Sequence, residues 1–278
     1  MVKIQIQSDL HLEAPKTYDI FEVVPKGPYL ALLGDIGVFA KGYDEYTQFL
    51  LVQLRNFKAV LLVLGNHEPY HSDWEEAKWY VAKFQEDVAA RKQAGEQLGE
   101  FVLLDQTRFD IDDEEGKEGG VTVLGCTLFS SVPQKSRKDV GFGLNDFNFI
   151  DNWGVDEHNG AHASDIAWLN SEVKSIEETS GSSGAAKRRI AVLTHYCPTF
   201  DERAQDLRHK NSPLQSGFAT DLSGEACWTS RAVKLWAFGH THYNCDFTDE
   251  HGKRIYSNQR GYSFSQSPGF DGTAVVEV

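Results

Sequence analysis

The chain has 278 residues, with 27 lysines and arginines against 41 aspartates and glutamates, a formal charge of −14 with histidine neutral. So acidic a chain has no long-range attraction for the phosphates of extended nucleic acid or for an anionic membrane, and neither is an expected partner. An apolar fraction of 41% beside 24% charged residues is that of a globular domain and excludes disorder of the whole, while no apolar run approaches the ~20 residues of a spanning helix.

The first seven residues alternate apolar and polar side chains, which reads as a first strand and lacks the basic-then-apolar layout of a secretory signal. Further short apolar runs at 29–33, 60–64, 121–125, 190–193 and 233–238 predict buried strands. Between them, Tyr43, Tyr46, Leu50, Leu54 and Phe57 recur at helical spacing, as do Trp74, Ala77, Val81, Phe84 and Val88. This alternation predicts an α/β core of parallel strands joined by helices. Residues 110–120 read as an acidic turn between two strands, 162–178 as a helix, and 180–186 as a Ser/Gly/Ala-rich loop. A hairpin is expected at 246–248 and 254–257, then a last strand near 273–278. The reading is one domain over 1–278, with surface insertions near 127–160 and 199–229. Cys126, Cys197, Cys227 and Cys245 form no C-x-x-C pair, and there is no N-x-S/T sequon, so reduced thiols in a cytoplasmic protein are expected.

The chemistry sits at the strand ends, where an open α/β sheet places its ligands. The first strand runs into Asp9-Leu10-His11, the second into Gly34-Asp35-Ile36-Gly37, the third into Gly65-Asn66-His67-Glu68. Later come Thr194-His195-Tyr196 and Gly239-His240-Thr241-His242. Residues two apart in an extended segment face the same way, so Asp9 with His11, and His240 with His242, can each reach one ion. Carboxylate, amide and imidazole donors without thiolate suit Mn, Fe, Zn or Ni in an open site. Seven such side chains exceed the needs of one catalytic ion; two ions sharing a carboxylate would use them.

These five blocks, in this order, resemble the calcineurin-like metallophosphoesterase superfamily, whose pattern is D-x-H, G-D, G-N-H-[DE], a lone His and G-H-x-H. The resemblance implies an α/β fold of four layers, an α-β-β-α sandwich of two mixed sheets flanked by helices, with strand-end loops converging on a dinuclear centre of two divalent or trivalent ions (Mn, Fe, Zn, Ni or Mg). It implies that Asp9, His11 and His242 hold one metal, that Asn66, His195 and His240 hold the other, and that Asp35 bridges them. His67 would face the substrate and stabilise the transferring phosphoryl group or protonate the leaving oxygen. The implied reaction is hydrolysis of a small phosphorylated substrate, a phosphomonoester or phosphodiester with nucleotides and cyclic nucleotides among the candidates, by in-line attack of a metal-bridging hydroxide.

GNHE is shared with Ser/Thr protein phosphatases, but residues 36–40, Ile-Gly-Val-Phe-Ala, lack that branch's second Asp and its Arg, and Leu64 stands where it has an Arg. The missing Asp orients the catalytic histidine there; Glu68 is the candidate substitute here. The D-L-H-L-E opening and G-H-T-H-Y-N-C-D ending look instead like smaller cytosolic phosphoesterases of bacteria and fungi. Weaker substrate-binding candidates are Arg260, a bidentate phosphate donor or else a surface ion-pair partner, and His158, which shares a helical face with His162 and points to the site or to water. Trp153, Trp168 and Phe147 could stack on a base or fill the core. Alternative readings are a nuclease of the same fold, although only Lys187, Arg188 and Arg189 form a basic run, a non-catalytic metal-binding scaffold, and a dinuclear enzyme acting on a non-phosphate substrate.

Overall fold

A computed structural model describes residues 1–112, 119–182 and 188–278. In chain order the elements are β1 (Lys3–Gln7), β2 (Tyr29–Leu33), α1 (Tyr43–Asn56), β3 (Ala59–Val63), α2 (Trp74–Gln93), β4 (Glu100–Leu103), β5 (Thr107–Ile111), β6 (Val121–Cys126), α3 (Arg137–Gly143) and α4 (Asp146–Phe149). There follow α5 (Val155–Ser182), β7 (Arg189–Thr194), three single 3-10 turns, α6 (Ala226–Thr229), β8 (Val233–Phe238), β9 (Cys245–Thr248), β10 (Arg254–Ser257), β11 (Gly261–Tyr262), β12 (Ser265–Gln266) and β13 (Val275–Glu277).

One sheet has the order β13-β1-β2-β3-β4, parallel except for β13, and the other β5-β6-β7-β8-β10-β9, parallel inside with antiparallel edges. Strand alternation sorts the apolar side chains into three layers. Ile4, Ile6, Ala31, Leu33, Leu61 and Val63 meet Val121, Val123, Ala191, Leu193, Leu235 and Ala237 between the sheets. Leu30, Leu32, Val60 and Leu62 face outward onto the helical stripes Tyr46, Leu50, Leu54 and Ala77, Val81, Phe84. On the far side Leu124, Ile190, Val192 and Trp236 pack against Leu169, Val173 and Ile176 of α5. The result is the expected α-β-β-α sandwich of two mixed sheets. Asp73 starts α2 by accepting the Glu76 N–H at 2.8 Å. Among the described residues no helix is long and apolar enough to cross a membrane.

Helix α5 begins at Val155, a full two turns before the expected 162, because its first turns are polar and carry Gly160, which hides the apolar period. It also runs to Ser182, into the expected loop; residues 183–186 of that loop, 113–118 of the acidic turn, and Lys187 lie outside the described residues. Arg188 binds Asp112 at 2.9 Å and the Thr122 hydroxyl at 2.9 Å, so it is committed to the β5–β6 edge. Trp153 packs on Trp74 and Phe129, Trp168 lines the α5 core, and Phe147 lies on His158: these aromatics serve packing.

Candidate metal centre

Strand ends β1, β2, β3, β7 and β8 converge at one edge of the sandwich, and the backbone there is unusual. Asp9 (φ 53°), His11 (45°), Asp35 (53°), His240 (68°) and His242 (50°) all sit in the left-handed region, which costs non-glycine residues of order 1–3 kcal/mol each unless the surroundings enforce it. Hydrogen bonds do so. The Asp9 and His11 N–H groups donate to the Gly34 and Asp35 carbonyls at 3.0 Å each, Gly239 N–H donates to the His195 carbonyl at 2.8 Å, and His240 N–H donates to Asp9 Oδ1 at 3.0 Å. A methyl group on Gly65 would strike the Asp35 carboxylate, so that loop needs glycine for close approach.

Glu68 ties two of these loops together from beneath. Its Oε1 accepts from Ile36 N–H (2.9 Å) and the Tyr46 hydroxyl (3.0 Å), its Oε2 from Asp35 N–H (3.0 Å) and Gly65 N–H (2.8 Å). In Glu68→Gln one oxygen becomes an NH2 facing two donors, so we expect a loss of about 2–3 kcal/mol in urea unfolding; an unchanged midpoint and slope would refute this bracing role. None of these four donors is the His67 ring, whose Nδ1 pairs with Glu13 instead, which corrects the expectation that Glu68 orients that residue.

The side chains form two donor groups that meet at Asp35. In the first, His242 Nε2 lies 3.4 Å from Asp9 Oδ1 and 2.9 Å from His11 Nε2. In the second, His195 Nε2 lies 3.5 Å from Asp35 Oδ1 and 2.9 Å from Asn66 Oδ1, with His240 beside it. Asp35 Oδ2 faces the first group, 3.9 Å from His11 Nε2. All seven residues expected as ligands are therefore brought together, and their atoms fit cations.

The fit is visible in atoms that no proton can pair. His195 donates its Nδ1–H to the Leu33 carbonyl at 2.7 Å, so its Nε2 carries a lone pair. Burial holds the ring neutral, its pKa lowered to about 4. The Asn66 amide donates to Asp146 Oδ1 at 2.8 Å and to Tyr70 at 3.1 Å, so its Oδ1 presents a second lone pair to the first. His240 Nε2 is buried and has no partner among the described residues. Burial pushes the Asp35 carboxyl well above the usual carboxylate range.

His67 stands at the edge of both groups, its Nε2 3.8 Å from Asp35 Oδ2. Its Nδ1 pairs with Glu13 Oε1 at 2.9 Å, and the same oxygen meets His11 Nδ1 at 3.3 Å. Burial would lower the His67 pKa, but the carboxylates of Asp35 and Glu13 raise it to about 9. Burial likewise opposes ionisation of Glu13, yet the hydrogen bonds from His11 and His67 bring it down to about 2. Tyr262 stacks on His11 with centroids 4.1 Å apart and brings its hydroxyl 3.4 Å from His67 Nε2.

Glu13, Tyr262 and Asp146 are the functional residues that sequence reasoning did not single out. Glu13 was within reach: residues 9, 11 and 13 continue one alternation in the D-L-H-L-E run. Asp146 accepts from Asn66, Tyr70 and Tyr196, and together with Tyr262 it comes from segments without a strand-end signal. Two weaker candidates fall away. His158 is fully buried, its Nε2 accepting from Ser130 N–H at 3.0 Å, and burial holds it neutral with a pKa of about 3, so it neither points to water nor reaches a substrate. Arg260 donates to the Leu10 carbonyl at 2.9 Å and lies over Phe21, so it braces the β1 turn instead of extending a free fork to phosphate. A wide cleft of about 910 Å³ between residues 18–25 and α1 is rimmed by Asp19, Glu22, Asp44 and Glu45 and holds none of these histidines, a charge pattern that repels phosphate.

Comparison with known proteins agrees with this geometry. The chain is 26% identical over 289 residues to the uncharacterized protein L509 of Acanthamoeba polyphaga mimivirus, across 98% of this chain and 95% of that one. Its fold is similar to that of the phosphopantetheinyl hydrolase PptH from Mycobacterium tuberculosis, with a TM-score of 0.64, 14% identity, and coverage of 94% of this chain and 89% of the other. A dimetal phosphatase from Danio rerio gives a TM-score of 0.52 at 11% identity, covering 94% and 88%. The family model for calcineurin-like phosphoesterases matches residues 2–244, and the chain therefore belongs to the calcineurin-like phosphoesterase family.

Proposed function

We propose that the protein is a dinuclear metal-dependent hydrolase of a small phosphomonoester or phosphodiester. The observation that carries this reading is the pair of donor groups meeting at Asp35, with His67 held at their edge. Asp9, His11 and His242 would hold one cation, Asn66, His195 and His240 the other, and Asp35 both. When bound, such a pair supplies Lewis acidity toward phosphoryl oxygens and a water of lowered pKa.

The protein's own groups do the rest. Glu13 fixes the tautomers of two imidazoles at once: with Nδ1–H of His11 and of His67 both turned to its carboxylate, both Nε2 atoms face the site. Protonated His67 would then donate from Nε2 to the departing oxygen, and the Tyr262 hydroxyl limits the ring's swing. Asp146 turns the Asn66 carbonyl, not its NH2, toward the second cation.

Glu13→Gln keeps an oxygen that can accept from both imidazoles but removes the charge that holds their Nδ1–H groups and favours a protonated His67, and we expect turnover at saturating metal to fall about 10- to 100-fold, with partial recovery in Glu13→Asp. Steady-state kinetics of the three proteins decide it; equal rates would remove Glu13 from the site. The reading as a whole is tested by metal analysis of the purified protein followed by a panel of monoesters, diesters and 2′,3′- and 3′,5′-cyclic nucleotides with Mn, Fe, Zn, Ni or Mg restored. Hydrolysis that requires metal supports it and excludes a non-catalytic scaffold, whereas no hydrolysis with any metal overturns it. The charge of −14 favours a compact substrate over a nucleic-acid strand. Four free thiols, three of them buried, support a reducing, cytoplasmic setting.

A further inference from the structure

The segment between β7 and α6 builds a second recess beside the candidate metal centre. It has a volume of about 240 Å³, and Thr241, the residue between His240 and His242, forms part of its wall. Phe218, also in the wall, stacks on His240 with centroids 4.9 Å apart and planes at 25°, so the recess and the metal-binding edge share that ring. Its size is below the roughly 300–1,000 Å³ of a pocket that takes a whole small ligand. It suits one ring system of a substrate whose phosphate lies at the metals.

Its chemistry narrows the occupant. Leu214, Phe218 and Ala219 supply apolar surface and an aromatic face. Against them stand two glutamines bound to each other, Gln215 Nε2 donating to Gln205 Oε1 at 2.6 Å. That bond consumes one NH2 hydrogen of Gln215 and one carbonyl lone pair of Gln205, and Gln205 Nε2 gives a hydrogen to the Asp201 carbonyl at 3.4 Å, which leaves the pair with an acceptor on Gln215 and one further N–H on Gln205. The Asp201 carbonyl fixes the orientation of the Gln205 amide, because exchanging its O and N would set two acceptors against each other. The Asp206 carboxylate is not free, being bound by Arg208 through Nε at 2.8 Å and through the backbone N–H at 2.9 Å, and the His209 imidazole and Ser212 hydroxyl complete the polar wall. Paired amide donor and acceptor groups next to an aromatic face are what read the edge and face of a nucleobase.

We propose that this recess binds the base of a nucleoside phosphoester. The inference rests on the hydrolase reading only for the position of the phosphate, and the two can fail separately. Adenosine and uridine, which carry no phosphate, serve as binding probes for the metal-loaded protein, followed by NMR of ring-labelled phenylalanine. At least one is expected to shift the Phe218 resonances and to bind tenfold or more weakly to Gln215→Leu and Gln205→Leu. Hydrolysis is then compared for the adenosine, uridine and methyl esters of p-nitrophenyl phosphate. The nucleoside esters should have a kcat/KM at least tenfold above the methyl ester, an advantage that shrinks toward one in both glutamine variants. Absence of binding by either nucleoside at millimolar concentration, or equal affinity in wild type and variants, overturns the base pocket. Hydrolysis of the methyl ester as fast as the others also overturns it while leaving the hydrolase reading intact; nucleoside binding without hydrolysis of any of these diesters or of the monoester p-nitrophenyl phosphate does the reverse.

Discussion

Asp35→Asn is expected to reduce bound metal from two ions to at most one and to lower phosphoester turnover by about 10³-fold or more. Both carboxylate oxygens are spoken for: Oδ1 faces His195 and accepts the His67 N–H at 2.8 Å, and Oδ2 faces His11. An amide offers a single oxygen without charge, and its NH2 would turn donors toward one donor group or the other. Lewis acidity at a phosphoryl centre contributes several kcal/mol, and each 1.4 kcal/mol is a factor of ten in rate. Elemental analysis of dialysed protein, beside hydrolysis of p-nitrophenyl phosphate at saturating metal, measures both effects. Retention of two ions with near-normal turnover would mean that Asp35 bridges nothing.

His67→Ala separates chemistry from metal binding. The ring is outside the seven donors, so both ions should remain, while kcat falls about 10²- to 10⁴-fold, the usual contribution of a positioned acid. The loss should grow with the basicity of the leaving oxygen: small for p-nitrophenyl esters, large for alkyl esters, which depart only when protonated. A loss of the same size for both esters would point to phosphoryl stabilisation instead of proton donation. Loss of metal would place His67 among the ligands.

Much of this arrangement was legible in the sequence because the relevant signals are local. A buried strand ending in a donor recurs along the chain, with Asp35, Asn66 and His240 each directly after a glycine, so the α/β alternation and the seven donors could be named together. What stayed hidden depends on distant partners. Glu13 is a positioning group only because His67 arrives from another strand. Asp146 matters through Asn66, 80 residues away, and Tyr262 because a two-strand hairpin swings its ring over His11. His158 misled in the opposite sense: polarity suggested water or ligand, yet capping the turn after β6 buried it among Phe129, Phe147 and Tyr196.

The closest contact within the first donor group joins His11 to His242, 231 positions apart in the chain. The centre is thus not a local chelate that could form on a nascent segment: the first strand supplies two donors and must wait for β8 to supply the last pair. Closure of so long a loop is costly and slow, and a cation with high affinity only for the completed set adds its binding energy to the folded state alone. Metal uptake is therefore expected to report global folding, and fragments ending before β8 should compete poorly for the same ion.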